Sequence, residues 1–282
     1  MKILIGIDKT EESQIALKYV CQLMEHFEAE VDAVYVQPNV TEMLADGSHA
    51  LFVSKNDLAQ AIDKETGQVE ENVLESCEIC ISGQVPCQPM IVEGDPADEL
   101  LHMAEAGNYD MIVLGAHGRS SFGGFLLGAV HAKVLHHARL PVLLVRNVRP
   151  IQRLLVAYRG SQCDQGALEF IAPLFAKKKP EITIMHVQET GLAESKEFAQ
   201  ACVLTGEQTL RDFGYQPVKK LVKGDFVEEI LKDVAIERYD LLVLGAYGHK
   251  KPRYLKVISD EALNLVRLTT RPVLVYREPE EV

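Results

Sequence analysis

The chain has 282 residues, more than one typical domain, and 47% of them are hydrophobic, enough to bury two cores. A formal net charge of −12 argues against nucleic acid or an anionic membrane surface as a partner, since both require a positive face; any phosphate site must be local. No apolar run reaches the length of a membrane span, and Met1-Lys2 leads into strand-like residues without a signal-peptide pattern, so a cytoplasmic protein is expected.

Lys2 to Asp8 reads as an apolar strand ending in an acid, after which Thr10 can cap a helix running to Met24. Val31 to Val36 is a second strand. Pro38 to Ser54 loses periodicity and gathers Pro, Asn, Gly, Asp and Ser, which predicts a long loop. A helix over Asp57 to Cys80 leads to a strand at Pro89 to Val92, and Gly94-Asp95-Pro96 opens a helix with proline in its favoured first turn. Asp110 to Leu114, a Gly128 to Arg139 helix and a Pro141 to Val145 strand complete a βα alternation that predicts a parallel, doubly wound sheet.

The unit then repeats. Gln14, Ala16 and Leu17 meet Gln165, Ala167 and Leu168 at an offset of 151; Gly94-Asp95 and Tyr109-Asp110 meet Gly224-Asp225 and Tyr239-Asp240 at 130. The first copy therefore carries 21 extra residues, expected in or near the 38–54 loop, and the boundary falls between Arg146 and Ile151. Both copies close on an apolar strand, Pro141 to Val145 and Pro272 to Tyr276. A bare apolar edge invites aggregation, so these two strands are expected to pair within one polypeptide.

The candidate site lies where Asp110-Met-Ile-Val-Leu stops at Gly115. Gly115-x-x-Gly118, nine residues, then Gly128 before a helix lets backbone N–H groups converge on an anion near a helix N-terminus. His117 and Arg119 sit in that loop and can face an anion. His131, His136 and His137 fall at i, i+5, i+6, which does not collect them on one helix face for a metal, and His186 reads as a satisfied core histidine. Six cysteines make no disulfide framework in a chain this long, so most are expected as free thiols in a reducing cytosol; Cys77, Cys80 and Cys87 form the only cluster. No Gly-x-Ser-x-Gly elbow, evident triad or Walker A lysine is present, so no catalytic residue and no metal ligand is assigned.

The glycine pattern, Lys133-Val-Leu-His-His137-Ala and Pro141-Val-Leu-Leu-Val145 resemble the universal stress protein family, whose nucleotide-binding members carry Gly-x-x-Gly, nine residues, then Gly-Ser or Gly-Thr. The resemblance covers nearly the whole chain and implies two tandem Rossmann-like domains of the adenine nucleotide alpha hydrolase-like kind. Each is expected to hold a five-stranded parallel sheet flanked by helices, over residues 1–148 and 149–282. It further implies a stress-response signalling module that takes ATP or AMP, with Mg as companion ion, and is at most a weak ATPase; a homodimer is compatible with it. The implied nucleotide-binding residues are Ile7, Asp8, Val36, Leu114, Gly115, His117, Gly118, Arg119, Gly128, Ala129 and Val130, with Asp8 at the adenosine part. Ala129 departs from the pattern, standing where the family's hydroxyl would contact phosphate. In the second copy Arg159 replaces Asp8, and Ile258-Ser259 stands nine residues after Gly248, so that nucleotide site is expected to be degenerate. A nucleotide-free scaffold and a cysteine-based metal or redox protein are the competing readings.

Overall fold

A strand covered on both faces cannot alternate polar and apolar residues, and Ile3, Leu4 and Ile5 are all fully buried. In the computed structural model, which describes residues 1–8, 10–37, 55–82, 86–116, 127–189, 194–247 and 258–277, they form the centre of β1 (Lys2–Ile7). The first half continues through α1 (Glu11–Leu23), β2 (Glu30–Gln37), α2 (Lys55–Ser82), β3 (Cys87–Glu93), α3 (Pro96–Ala106), β4 (Met111–Gly115), α4 (Ala129–His137) and β5 (Val142–Val145). The second half repeats the series as β6 (Arg153–Ala157), α5 (Gln162–Leu174), β7 (Glu181–Glu189), α6 (Lys196–Asp212), β8 (Val218–Gly224), α7 (Phe226–Ile236), β9 (Leu241–Gly245), α8 (Asp260–Leu268) and β10 (Val273–Tyr276).

The ten strands among the described residues join one sheet in the order β3-β2-β1-β4-β5-β10-β9-β6-β7-β8. Every pairing is parallel except the central one, where β5 and β10 run antiparallel with Leu143 opposite Leu274. The closing strands thus meet within one chain, related by a pseudo-twofold. Period-two alternation divides the core between the faces. Ile3 and Ile5, with Leu154 and Val156, pack under α1, α2, α5 and α6. Leu4, Leu155 and Ala157 pack under α3, α4, α7 and α8. The same local devices recur in each half: Asp110 accepts from Lys2 N and Asp240 from Arg153 N, while Lys2 and Arg153 lie over the Tyr109 and Tyr239 rings.

Several expectations change on contact with the structure. Thr10 precedes α1 but gives it no side-chain cap, because its hydroxyl donates to the Asp8 carboxylate instead. The 38–54 loop lies outside the described residues, yet part of the insertion is visible as helix: α2 has 28 residues against 17 in α6. The free-thiol expectation fails in the first half. Val69, Val73 and Cys77 form the buried stripe of α2, which brings Cys77 within 5.3 Å (Cα to Cα) of Cys87 on β3, and the two are disulfide-bonded. Cys21 is disulfide-bonded as well, whereas Cys163 and Cys202 are buried free thiols. A reducing compartment does not determine which cysteines the fold brings together. At the corresponding helix position of the second half, Glu207 ties α6 to β8 through Lys219 at 2.6 Å. His186 is a satisfied core histidine, its ring nitrogens on Tyr158 O at 2.9 Å and Glu194 Oε1 at 3.0 Å.

The two halves also meet beside the sheet, where the segment after α1 faces the end of α5. His26 is 4% exposed and packs edge-on to Phe175, with ring centroids 5.1 Å apart. Glu28 and Glu25 pair with Lys177 and Lys178 alongside it. Burial, then the Lys178 charge, pushes the His26 pKa below its ordinary value, partly opposed by Glu25. A histidine depressed in the folded state is neutral there while the unfolded chain protonates, so stability is retained above the unfolded pKa of about 6.5 and lost as pH falls through that value toward the folded one. Urea midpoints measured from pH 7.5 to 5 should fall in this window, and His26→Gln should flatten the fall; an unchanged slope in the variant would remove His26 as its source.

Candidate nucleotide-binding cleft

In the first half the sheet order reverses beside β1, with β2 on one side and β4 on the other, and a crevice opens at the carboxyl ends of these strands. The cleft there encloses about 250 Å³. Ile7 ends β1 and Asp8 follows it, Val36 lies on β2, Leu114 and Gly115 end β4, and Gly128, Ala129 and Val130 open α4; all eight line it. His117, Gly118 and Arg119 lie outside the described residues. Ser13, Val34, Tyr35, Pro96, Leu100 and His131 also line the cleft and were not singled out from the sequence as site residues. For His131 a signal was available: it falls one helical turn after Gly128 and so shares its face.

Each wall has a local cause. Asp8 is exposed, and its Oδ1 accepts from Thr10 N at 2.9 Å, an Asx turn that fixes where the carboxylate sits. Ser13 Oγ lies 2.8 Å from Asp8 O and 2.9 Å from Thr10 O, holding the first turn of α1 against that loop. Gly115 is dictated by proximity: a Cβ there would stand 2.2 Å from Glu12 O, and that neighbour is backbone. The floor and one side are apolar, supplied by Val34, Val36, Leu100 and Leu114.

The opposite side is polar. Gly128 is the N-cap of α4 and offers no side chain to the first-turn N–H groups, and no acid occupies that turn. The helix therefore presents donors and the positive end of its dipole at the cleft. His131, 9% exposed, donates from Nε2 to Gly115 O at 2.6 Å, which fixes the tautomer because a carbonyl only accepts. Lys133 reaches Asp95 at 3.2 Å and Asp98 at 2.7 Å, pinning α4 to α3. Asp95 also caps α3 by accepting from Ala97 N and Asp98 N. Partial burial opposes its charge, yet the Asp98 N–H, Lys133 and the Ala97 N–H hold its pKa below the ordinary value.

Comparison with known proteins agrees with this architecture. The universal stress protein family model matches residues 1–146 and again 150–277. The chain belongs to the universal stress protein family. It is similar to the universal stress protein Slr1230 of Synechocystis, 27% identical over 98% of this chain and 99% of that one. The universal stress protein MJ0531 of Methanocaldococcus jannaschii is 32% identical over 51% of this chain and 81% of its own. A crystal structure of a universal stress protein from Archaeoglobus fulgidus superposes with a TM-score of 0.77 at 24% identity, covering 98% of both chains.

The second half of this tandem universal stress protein builds the corresponding place differently. Ser259 is the N-cap of α8, as Gly128 is of α4, so the second loop is one residue longer than spacing alone implied. Ile258 consequently corresponds to Leu127, not to the third glycine, and is buried in the core at 1% exposure. Ser259 Oγ accepts from Ala262 N, satisfying a donor that α4 leaves facing its cleft, and Asp260 and Glu261 occupy the first turn. Asp164, 1% exposed, stands where the first half has Ser13 and accepts from Arg159 N, Ser161 N and Gly245 N.

Gly115→Ala should force α1 away from β4, since the Glu12 carbonyl cannot yield by rotamer, at a cost of about 2–4 kcal/mol. Gly67→Ala, in the open on α2, should be neutral or stabilise by about 0.5–1 kcal/mol. Denaturant unfolding measures both; equal effects would mean that the α1–β4 approach does not need glycine.

Proposed function

We propose that the chain binds one adenine nucleotide, ATP or AMP, in the first domain, residues 1–148, and acts as a nucleotide-responsive regulatory module of the cytoplasmic stress response. The second domain, residues 149–282, has in this reading lost its nucleotide site and serves as the structural partner of the first. The observation that carries the proposal is the convergence of Asp8, the end of β4 and the uncapped N-terminus of α4 on one apolar-floored cleft at the sheet's switch point. Such a cleft suits a ligand with a flat apolar base, a hydroxylated sugar and a phosphate. In this reading the base lies against Val34, Val36 and Leu100, the sugar hydroxyls against the Asp8 carboxylate, and the phosphate at the α4 donors, an assignment that the resemblance to the family's glycine pattern supports. Mg would travel with a triphosphate, held by the phosphate oxygens.

Ala129 biases the choice of nucleotide. It opens α4 with a methyl group where the family has a hydroxyl, and one hydrogen bond to a charged phosphate is worth roughly 1.5–3 kcal/mol. AMP, with less phosphate to hold, loses less from that absence. Calorimetric titration should therefore show that Ala129→Ser raises the ratio of ATP to AMP affinity by about tenfold or more. An unchanged ratio would contradict the role given to Ala129, and a wild-type protein that takes up neither nucleotide would contradict the proposed function.

A further inference from the structure

The carbonyls of Gly115 and Gly245 end equivalent strands, and each accepts a hydrogen bond from a side chain that comes from a different place. In the first half the donor is His131, reaching from α4 at 2.6 Å and leaving the cleft open. In the second half the equivalent helix position is Ala262, fully buried and with no side-chain donor. The bond to Gly245 O comes instead from Arg159 Nη2 at 3.0 Å, from the loop after β6 where the first half has Asp8. To arrive there the guanidinium lies over Phe226, its Cζ 4.9 Å from the ring centroid, with Nη1 3.4 Å from Ser259 Oγ. Phe226, Gly245 and Ser259 are the counterparts of Pro96, Gly115 and Gly128, which are three walls of the first cleft. The guanidinium therefore lies among the counterparts of residues that line the open cleft of the first half.

We propose that Arg159 is the built-in occupant of the second cleft, and that the paired exchange of Asp8 and His131 for Arg159 and Ala262 sets which cleft of the chain takes a ligand. The ligand excluded is the adenine nucleotide of the first cleft, so the proposal rests on that reading. Exclusion acts by occupancy and not by charge, because a cation beside a helix N-terminus would by charge alone draw a phosphate in. The occupant is held rigidly: Arg159 N donates to buried Asp164 at 3.1 Å, and the planar fork matches a carbonyl, a hydroxyl and an aromatic face at once.

Two measurements on the full chain test this. The first needs no nucleotide. Arg159→Gly should lower the thermal midpoint by several degrees, and millimolar ethylguanidinium should restore at least half of the loss while leaving wild type unmoved. The second counts ligands by equilibrium dialysis with ATP and with AMP. Arg159→Gly combined with Ala262→His should raise the count from about one per chain to about two. In the first half, Asp8→Arg with His131→Ala should bind at least tenfold more weakly than Asp8→Ala with His131→Ala, since only the arginine fills the cleft. If Arg159→Gly does not fold, Arg159→Ala, which also vacates the space of the guanidinium, carries the same comparison. Absence of ethylguanidinium rescue, or a count that stays at one, would overturn the proposal. If wild type takes up no nucleotide, the reading of the first cleft falls, and the rescue still decides whether Arg159 is an occupant.

Discussion

Three residue pairs of one antiparallel ladder, Val142 with Val275, Leu143 with Leu274 and Leu144 with Val273, turn two parallel half-sheets into one. All six side chains are buried, so the edge that each half would otherwise expose is covered by the other. Just beyond each strand an arginine crosses the pseudo-twofold. Arg146 donates to Val266 O near the end of α8, and Arg277 donates to Leu135 O and His136 O near the end of α4. Helix C-termini leave carbonyls without intrahelical partners and carry the negative end of the dipole, so a guanidinium suits them in both respects. Burial lowers both arginine pKa values, Arg146 to about 10, which leaves that side chain charged at neutral pH.

This interface explains why two similar halves can differ in their clefts. The ladder and the arginine caps use strand backbone and the far ends of α4 and α8, whereas the cleft uses the opening turn of α4. The second half can therefore place Arg159, Ser259 and Ala262 around Gly245 without disturbing what holds the domains together. Its edge strand β8 is managed locally as well, with Lys219 and Lys220 paired to Glu207 and Asp233.

Much of this was legible in the sequence because strong periodicities produced it. Uninterrupted apolar runs such as Ile3 to Ile5 required strands buried on both faces, and the repeat offsets located the second copies of the first helix, the Gly-Asp turn and the fourth strand. Glycine spacing pointed to the β4–α4 cleft. What escaped depended on contacts between residues distant along the chain. Nothing in the spacing of Cys77 and Cys87 states that α2 lies against β3, and the roles of Arg146, at the boundary between the units, and of Arg277 exist only once the opposing helix ends are in place. The Thr10 hydroxyl was assigned to a helix cap on propensity, and the nearer Asp8 carboxylate won it. Ile258 was placed against the third glycine because a one-residue lengthening inside a loop leaves no mark on strand or helix pattern; only the N-cap geometry of Ser259 reveals it.

The account stands or falls on the two halves being joined edge to edge within one polypeptide. Cysteines introduced as Leu143→Cys and Leu274→Cys, oxidised at nanomolar chain concentration and located by peptide mapping, address this directly. The expected result is a 143–274 disulfide within the monomer whose yield does not change on dilution. A crosslink that forms only between chains, or whose yield falls with dilution, would contradict it.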